Sequence, residues 1–227
     1  MPYTRTQGSA AEHGDRSAAM IVVVDYGRGN LFSIDQALRH LGCSPVATSD
    51  PAEIEAATGV ILPGVGAFGD AMDRLRQQTL IGPLQQTARS GRPFLGICLG
   101  MQMLASHSEE FGTHEGLDLV PGHIRRLPED DRPGGIEVPN IGWRRLIPGS
   151  GPTAEKSEDY AYFVHSYFFE PTDPSVISSS INFNGHMVPA IIRSGNIQGF
   201  QFHPERSGPA GLRFLENFLR CCSNPPG

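Results

Sequence analysis

The sequence predicts an α/β fold: an open, mostly parallel, doubly wound sheet with antiparallel extensions in its C-terminal half. Three observations predict it. Short continuous apolar runs, Met20-Ile21-Val22-Val23-Val24-Asp25, Val60-Ile61-Leu62 and Phe94-Leu95-Gly96-Ile97, have the texture of strands buried on both faces, as in parallel sheets. Segments with apolar residues at helical spacing separate these runs, and such β-α alternation implies a sheet with its site at the carboxyl ends of the strands. From Leu117 onward strand and turn signals replace the alternation.

Residues 1–19 stand outside that pattern. They are polar, mixed in charge and rich in small residues, without the apolar stretch of a secretory signal, and Glu12 and Asp15 argue against an organellar transit peptide. They are read as a disordered extension before one domain over residues 20–222, followed by a short tail, 223–227. The first strand, 20–25, leads into a helix over 31–41 closed by Gly42, a residue suited to the left-handed turn after a helix. Residues 45–48 form a short strand. Pro51 opens a short helix with Asp50 as its cap. The strand at 60–62 precedes helices over 68–75 and 81–89. The strand at 93–97 then turns abruptly into a helix over 99–107. Beyond it, strands are expected at 141–146, 160–169, 188–193 and 197–202, and an amphipathic helix over 211–221 closes the chain.

Composition narrows the field without choosing a reaction. The 227 residues suffice for one large α/β domain, and 18 Lys and Arg against 24 Asp and Glu give a net charge of −6. That balance lacks the basic footprint of a nucleic-acid binder. No apolar run approaches the ~20 residues that span a bilayer. The cysteines are Cys43, Cys98, Cys221 and Cys222; only the last two are neighbours, and adjacent cysteines rarely bridge or bind a metal. A reducing cytoplasm is the expected compartment, with no metal or cofactor.

Cys98 is the candidate nucleophile. It stands at the strand-to-helix turn in Gly96-Ile97-Cys98-Leu99-Gly100, where glycines two residues to either side remove side chains that would strike the neighbouring backbone. The helix start supplies free N–H groups and the positive end of a dipole, which favour a thiolate and an oxyanion. A second constellation, Phe202-His203-Pro204-Glu205, supplies a base. Pro204 holds His203 extended, and on an extended segment Glu205 would point the same way and orient the imidazole. The order nucleophile, His, acid differs from that of the α/β-hydrolases. Cys98, His203 and Glu205 together read as a triad.

These two motifs resemble those of the class I, triad-type glutamine amidotransferases, whose domains carry G-x-C-x-G-x-Q and, later, H-P-E. Further stretches, Asp25-Tyr26-Gly27-Arg28-Gly29-Asn30-Leu31, Leu62-Pro63-Gly64-Val65-Gly66-Ala67-Phe68, Gly142-Trp143 and Phe163-Val164-His165-Ser166-Tyr167, resemble the glutaminase subunits of imidazole glycerol phosphate synthase. The resemblance spans residues 20–219 with its motifs in order.

It implies a flavodoxin-like fold and a glutaminase that passes ammonia to a (β/α)₈-barrel cyclase subunit in histidine biosynthesis. It places oxyanion donors at the backbone of Leu99 and Val65. Gly64, Gln102, Glu110, Ser166 and Tyr167 are implied to hold L-glutamine, and Asn30, Trp143 and Tyr162 to face the cyclase in a heterodimer. The chain departs from the family pattern at Asn140, where His is usual, at Arg144 for Asn, at Asp118 for Gly and at Arg206 for Lys. Rival readings are the glutaminase of another synthase, a catalytically silent regulatory subunit, and a thiol hydrolase of the same superfamily.

Overall fold

The computed structural model describes residues 19–129, 135–150, 154 and 159–223. The expected extension therefore lies outside the described residues except for Ala19, and the expected tail does so except for Ser223.

The first half alternates as anticipated: β1 (Ile21–Val24), α1 (Leu31–His40), β2 (Val46–Thr48), α2 (Pro51–Ala56), β3 (Gly59–Gly64), α3 (Phe68–Gln77), α4 (Ile81–Arg89), β4 (Phe94–Cys98) and α5 (Leu99–Met103). Local chemistry sets the boundaries. Helix α1 ends in a Schellman turn, with Gly42 N–H on Arg39 O and Cys43 N–H on Leu38 O; Gly42 takes φ +79°, which only glycine adopts freely. Asp50 caps α2 by accepting from Ala52 N–H at 2.9 Å, with Pro51 in the first turn.

The second half comprises β5 (His107–Ser108), β6 (His114–Glu115), β7 (Gly122–Arg126), β8 (Asn140–Arg145), β9 (Ile147–Pro148), β10 (Tyr160–His165), β11 (Tyr167–Pro171), β12 (Ile177–Phe183), β13 (His186–Ser194), β14 (Ile197–Phe200) and α6 (Gly208–Ser223). The main sheet has eight strands in the order β2-β1-β3-β4-β14-β13-β12-β9. Its first five strands pair in parallel, and from β14 outward the pairing is antiparallel. Strand alternation divides the core in two. Val22, Val24, Val60, Leu62 and Phe94 pack with α2–α5 on one face. Ile21, Val23, Ile61, Leu95 and Ile97 pack with α1 and α6 on the other. Each such side chain contributes about 1.5–3 kcal/mol by leaving water. Two smaller sheets, β10-β8 and β11-β7-β5-β6, lie outside this frame.

Three expectations are corrected. Helix α5 stops at Met103 rather than near 107, because His107 and Ser108 pair with His123 and Ile124 of β7; a ladder outweighs the segment's helical spacing. The strand expected over 160–169 breaks at Ser166 into β10 and β11, which belong to different sheets. The strands β5, β6, β7, β9 and β12 had no counterpart in the sequence reading. In β12 the apolar pattern is interrupted by Ser178, Ser179 and Ser180, all buried.

Candidate active site

Cys98 ends β4 and sits at φ 55° and ψ −111°, outside the regions a side chain ordinarily takes. Such a conformation costs on the order of 1–3 kcal/mol and persists only where packing over-determines it. Here two contacts do so. A Cβ on Gly100 would stand 1.8 Å from Leu62 O, and one on Gly96 would stand 2.6 Å from Gly100 O. The backbone of α5 therefore lies directly on β3 and β4, and the thiol projects from the sheet's carboxyl edge.

His203 is placed by strand pairing. Strand β14 runs beside β4 with Phe200 opposite Ile97, so the chain leaving β14 carries Gln201, Phe202 and His203 past the cysteine. His203 faces the same cavity as Cys98, and its Nδ1 lies 3.0 Å from Glu205 Oε1. The Glu205 side chain is wholly buried. Burial disfavours the imidazolium, but the nearness of Cys98 and Glu205 outweighs it and pushes His203 up to about 10. His203 itself is extended, as Pro204 requires. Glu205 reaches it through a 3₁₀ turn over Pro204–Arg206 rather than by the alternation of an extended segment. The pairing expected from the sequence thus arises by a different local geometry.

A cavity of about 260 Å³ opens above the thiol. It is lined by Val65, Cys98, Leu99, Gln102, Glu110, Ser166, Tyr167 and His203, with Gly66, Pro139, Val164 and His165 completing the wall. Eight residues singled out in the sequence thus meet in one place. Gly64 lies behind the lining. A Cβ there would be 2.7 Å from the Tyr26 hydroxyl and 2.9 Å from Leu99 Cβ, so glycine is needed for packing at that position. Leu99 is the first residue of α5, where N–H groups have no intrahelical acceptor.

Gln102 and Glu110 are both held from inside the protein. Gln102 Nε2 donates to Tyr167 O at 2.9 Å and to Gln201 Oε1 at 3.1 Å. Glu110 Oε2 accepts the Phe68 N–H at 2.6 Å. That bond supplies the cap of α3 which Ala67, at the N-cap position, cannot. Burial pushes the Glu110 carboxyl up, while the Phe68 N–H and His114 pull the other way. Leu127 N–H donates to Ser166 O at 2.8 Å, turning that carbonyl toward β7; the next carbonyl, Tyr167 O, faces Gln102.

The surface residues lie elsewhere. Asn30 caps α1, accepting from Ser33 N–H at 3.4 Å. Trp143 is 51% exposed on β8 and meets the Tyr162 ring edge to face at 5.9 Å. The Arg206 guanidinium lies 4.5 Å over the Tyr162 ring.

Four further residues stand beside the site, of which the sequence reading singled out only Asn140, as a departure from the family pattern. Gln201 points its Nε2 toward Cys98 Sγ at 4.0 Å. Its only sequence signal is its place two residues before His203. The Tyr26 hydroxyl is buried near Cys98, and burial raises it, with the charge of Cys98 adding to the effect. His165 and Asn140, both buried, bond each other at 2.9 Å. Among the described residues no group of three or more His, Cys, Asp or Glu is placed to hold a metal ion, and no helix is long and apolar enough to cross a membrane. Cys43, Cys98, Cys221 and Cys222 are all free thiols.

Comparison with known proteins agrees with this geometry. The family model described as "Glutamine amidotransferase class-I" matches residues 22–222. The "Imidazole glycerol phosphate synthase subunit HisH" of Syntrophotalea carbinolica is 43% identical over 204 residues, 88% of this chain and 98% of its own length. The protein of the same name from Moorella thermoacetica is 46% identical over 201 residues, 87% of this chain and 93% of its own. Among solved structures, a glutamine amidotransferase superposes with a TM-score of 0.69 at 18% identity, covering 88% of this chain and 98% of that one. PurLQS from Thermotoga maritima gives 0.65 at 20% identity, covering 89% of this chain and 98% of the matched one. Those two likenesses bear on fold alone, whereas the family model and the relatives with more than 40% identity bear on lineage: this chain belongs to the class-I glutamine amidotransferase family, among the HisH subunits of imidazole glycerol phosphate synthase.

Proposed function

We propose that this chain is the glutaminase subunit of an imidazole glycerol phosphate synthase, acting in the cytoplasm. It hydrolyses L-glutamine and delivers ammonia to a (β/α)₈-barrel cyclase subunit docked over the cavity. The observation that carries the reading is the Cys98–His203–Glu205 line at the carboxyl edge of the sheet, opening into a cavity that also holds Gln102 and Glu110.

The side-chain amide of glutamine is unreactive, so the site must supply a nucleophile, a proton and stabilisation for an oxyanion. His203, held by Glu205 and pushed up to about 10, takes the thiol proton of Cys98 as the sulfur attacks. The Cys98 sulfur attacks the carboxamide carbon, and the carbonyl oxygen takes up the negative charge. Leu99 N–H, at the start of α5, and Val65 N–H receive that charge. The tetrahedral adduct collapses as His203 gives its proton to the departing nitrogen, releasing ammonia and leaving a γ-glutamyl thioester. The now neutral His203 takes a proton from water, whose oxygen attacks the thioester and frees glutamate. Glu205 holds the imidazole through Nδ1 and stabilises its charged form in both half-reactions.

Substrate is gripped at its amino-acid end. The Glu110 oxygen not engaged by Phe68 faces the α-ammonium group, and Gln102, Ser166 and Tyr167 complete the contacts. Trp143, Tyr162 and Asn30 anchor the cyclase partner, large aromatic side chains being common energetic centres of such interfaces.

Ammonia release from L-glutamine tests the reading, measured for the chain alone and with the cyclase and its nucleotide ligand. The expected result is strong stimulation in the complex and none in Cys98→Ala. Full activity without the partner would favour a free-standing hydrolase. No release in any mixture would leave a regulatory role.

A further inference from the structure

Asn140 and Arg144 are the two positions around Trp143 at which this chain departs from its family's pattern, and in the structure they are bonded to each other. Both lie on β8, where residues two and four apart share a face, and Gly142 leaves no side chain between them. Arg144 Nε donates to Asn140 Oδ1 at 2.8 Å. That bond decides the orientation of the buried amide, because an arginine can only donate. The amide nitrogen of Asn140 therefore faces His165 Nε2, 2.9 Å away. A ring nitrogen that accepts carries no hydrogen, so the His165 proton resides on Nδ1, which donates to Tyr167 O at 2.8 Å. The same carbonyl accepts from Gln102 Nε2, whose second hydrogen goes to Gln201 Oε1.

We propose that Asn140 and Arg144 are positioning residues for glutamine, acting through His165 and the Tyr167 carbonyl to fix which end of the Gln102 amide faces the cavity. Every bond in the series has one direction. Arg144 donates to Asn140, Asn140 to His165 and His165 to Tyr167, so the carbonyl is held where Gln102 must donate to it. Both hydrogens of Gln102 are then engaged, and Oε1 alone is left to receive a donor from the substrate. Neither Asn140 nor Arg144 lines the cavity, so the effect reaches the substrate only through other residues.

The ring is suited to this role. Burial pushes His165 down to about 4, and the charges of His203 and Arg144 add to the effect, opposed by the bond to Tyr167 O. It therefore stays neutral near pH 7, and its Nε2 remains an acceptor.

The proposal rests on the glutaminase reading, and its test separates the two. Glutamine KM and kcat are measured in the complex with the cyclase, alongside ¹⁵N NMR of the His165 imidazole, assigned by its absence in His165→Gln. Loss of one orienting hydrogen bond in Asn140→Ala or Arg144→Ala is expected to raise KM about five- to tenfold, with kcat changed less than about threefold. Arg144→Lys, which keeps a donor, is expected to recover most of the loss. Arg144 is partly exposed, so its variants leave the core intact even if those of Asn140 do not fold. In the wild type the NMR signature is the Nδ1–H tautomer. In Asn140→Asp a carboxylate faces Nε2, and the ring is expected to be doubly protonated at neutral pH. An Nε2–H tautomer in the wild type, or an unchanged KM in the Arg144 and Asn140 alanine variants, overturns the proposal. A wild-type complex that releases no ammonia overturns the glutaminase reading instead, and the tautomer still reports on the series of bonds.

Discussion

The carboxylate of Glu110 accepts the backbone N–H of Phe68 at 2.6 Å, so one side chain both walls the cavity and caps helix α3 across 42 residues of sequence. Replacing it should act on stability and on binding together. Glu110→Ala is expected to lower unfolding free energy by about 1 kcal/mol, the usual loss of a cap, and to raise the glutamine KM. Glu110→Gln keeps an acceptor for Phe68 but no charge for an α-ammonium group. It should retain most of the stability and still bind glutamine poorly. Urea titration and steady-state kinetics on the same preparations separate the two effects.

Glu205 touches His203 and has no place in the cavity lining. Glu205→Gln keeps the shape while withdrawing the charge that stabilises the imidazolium, so turnover should fall within the range of about 10²–10⁴ typical of lost acid–base help. The glutamine KM should stay near its wild-type value. A rise in KM with unchanged turnover would show that Glu205 supports binding and leaves proton transfer alone.

His165 and His203 give opposite pH limbs. His165 is pushed down to about 4 in the fold, whereas in the unfolded chain it titrates near 6.5. Unfolding therefore takes up a proton between those values, and stability falls as pH drops from 6.5 to 4, by on the order of 3 kcal/mol at most. His203 is raised to about 10. Its contribution is fully present below 6.5 and is lost as pH rises through 10. Denaturant titrations from about pH 4 to about pH 10 should show both limbs. His165→Gln should flatten the acid limb alone, and His203→Gln the alkaline one.

The nucleophile turn tolerates no side chain at Gly100. A Cβ there would stand 1.8 Å from Leu62 O, a backbone atom that cannot rotate away. Gly100→Ala is expected to cost about 3 kcal/mol or more, the upper end for overpacking, and to displace Cys98. Soluble yield and thermal midpoint report the first effect. Thiol alkylation of the folded fraction reports the second.

Trp143 is half exposed and braced edge to face by Tyr162 at 5.9 Å. As an interface anchor its removal should cost about 2 kcal/mol of association, or roughly thirtyfold in Kd. Calorimetric titration of the cyclase with Trp143→Ala checks this. An unchanged Kd would place the docking surface elsewhere.

The parts of the fold legible in the sequence were those that local physics decides. Strands β1, β3 and β4 announce themselves as short apolar runs because parallel strands are buried on both faces. The turn at Cys98 is legible because only glycine fits at 96 and 100. Strand β12 was not, because Ser178, Ser179 and Ser180 look like a loop until pairing is known. Ser179 Oγ is satisfied by Ile147 O at 3.0 Å, which lets it be buried. The break at Ser166 depends on two different sheets claiming the two halves of one β-rich run. Gln201 became a neighbour of Cys98 only through the β4–β14 register, and the Asn140–Arg144 pair only through the shared face of β8.

Strands β4 and β14 are adjacent and hydrogen-bonded in parallel, with Phe200 opposite Ile97. The two segments that carry Cys98 and His203 therefore leave neighbouring strands of one sheet, with His203 three residues past the end of β14. A partner docked over the cavity would have its walls within reach, Val65 and Gly66 on one side and Val164 to Tyr167 on the other. Separate sheets carry separate tasks: β4 and β14 lead to the thiol and the imidazole, while Trp143 and Tyr162 stand opposite each other on β8 and β10. A change at that pair leaves the β4–β14 pairing untouched.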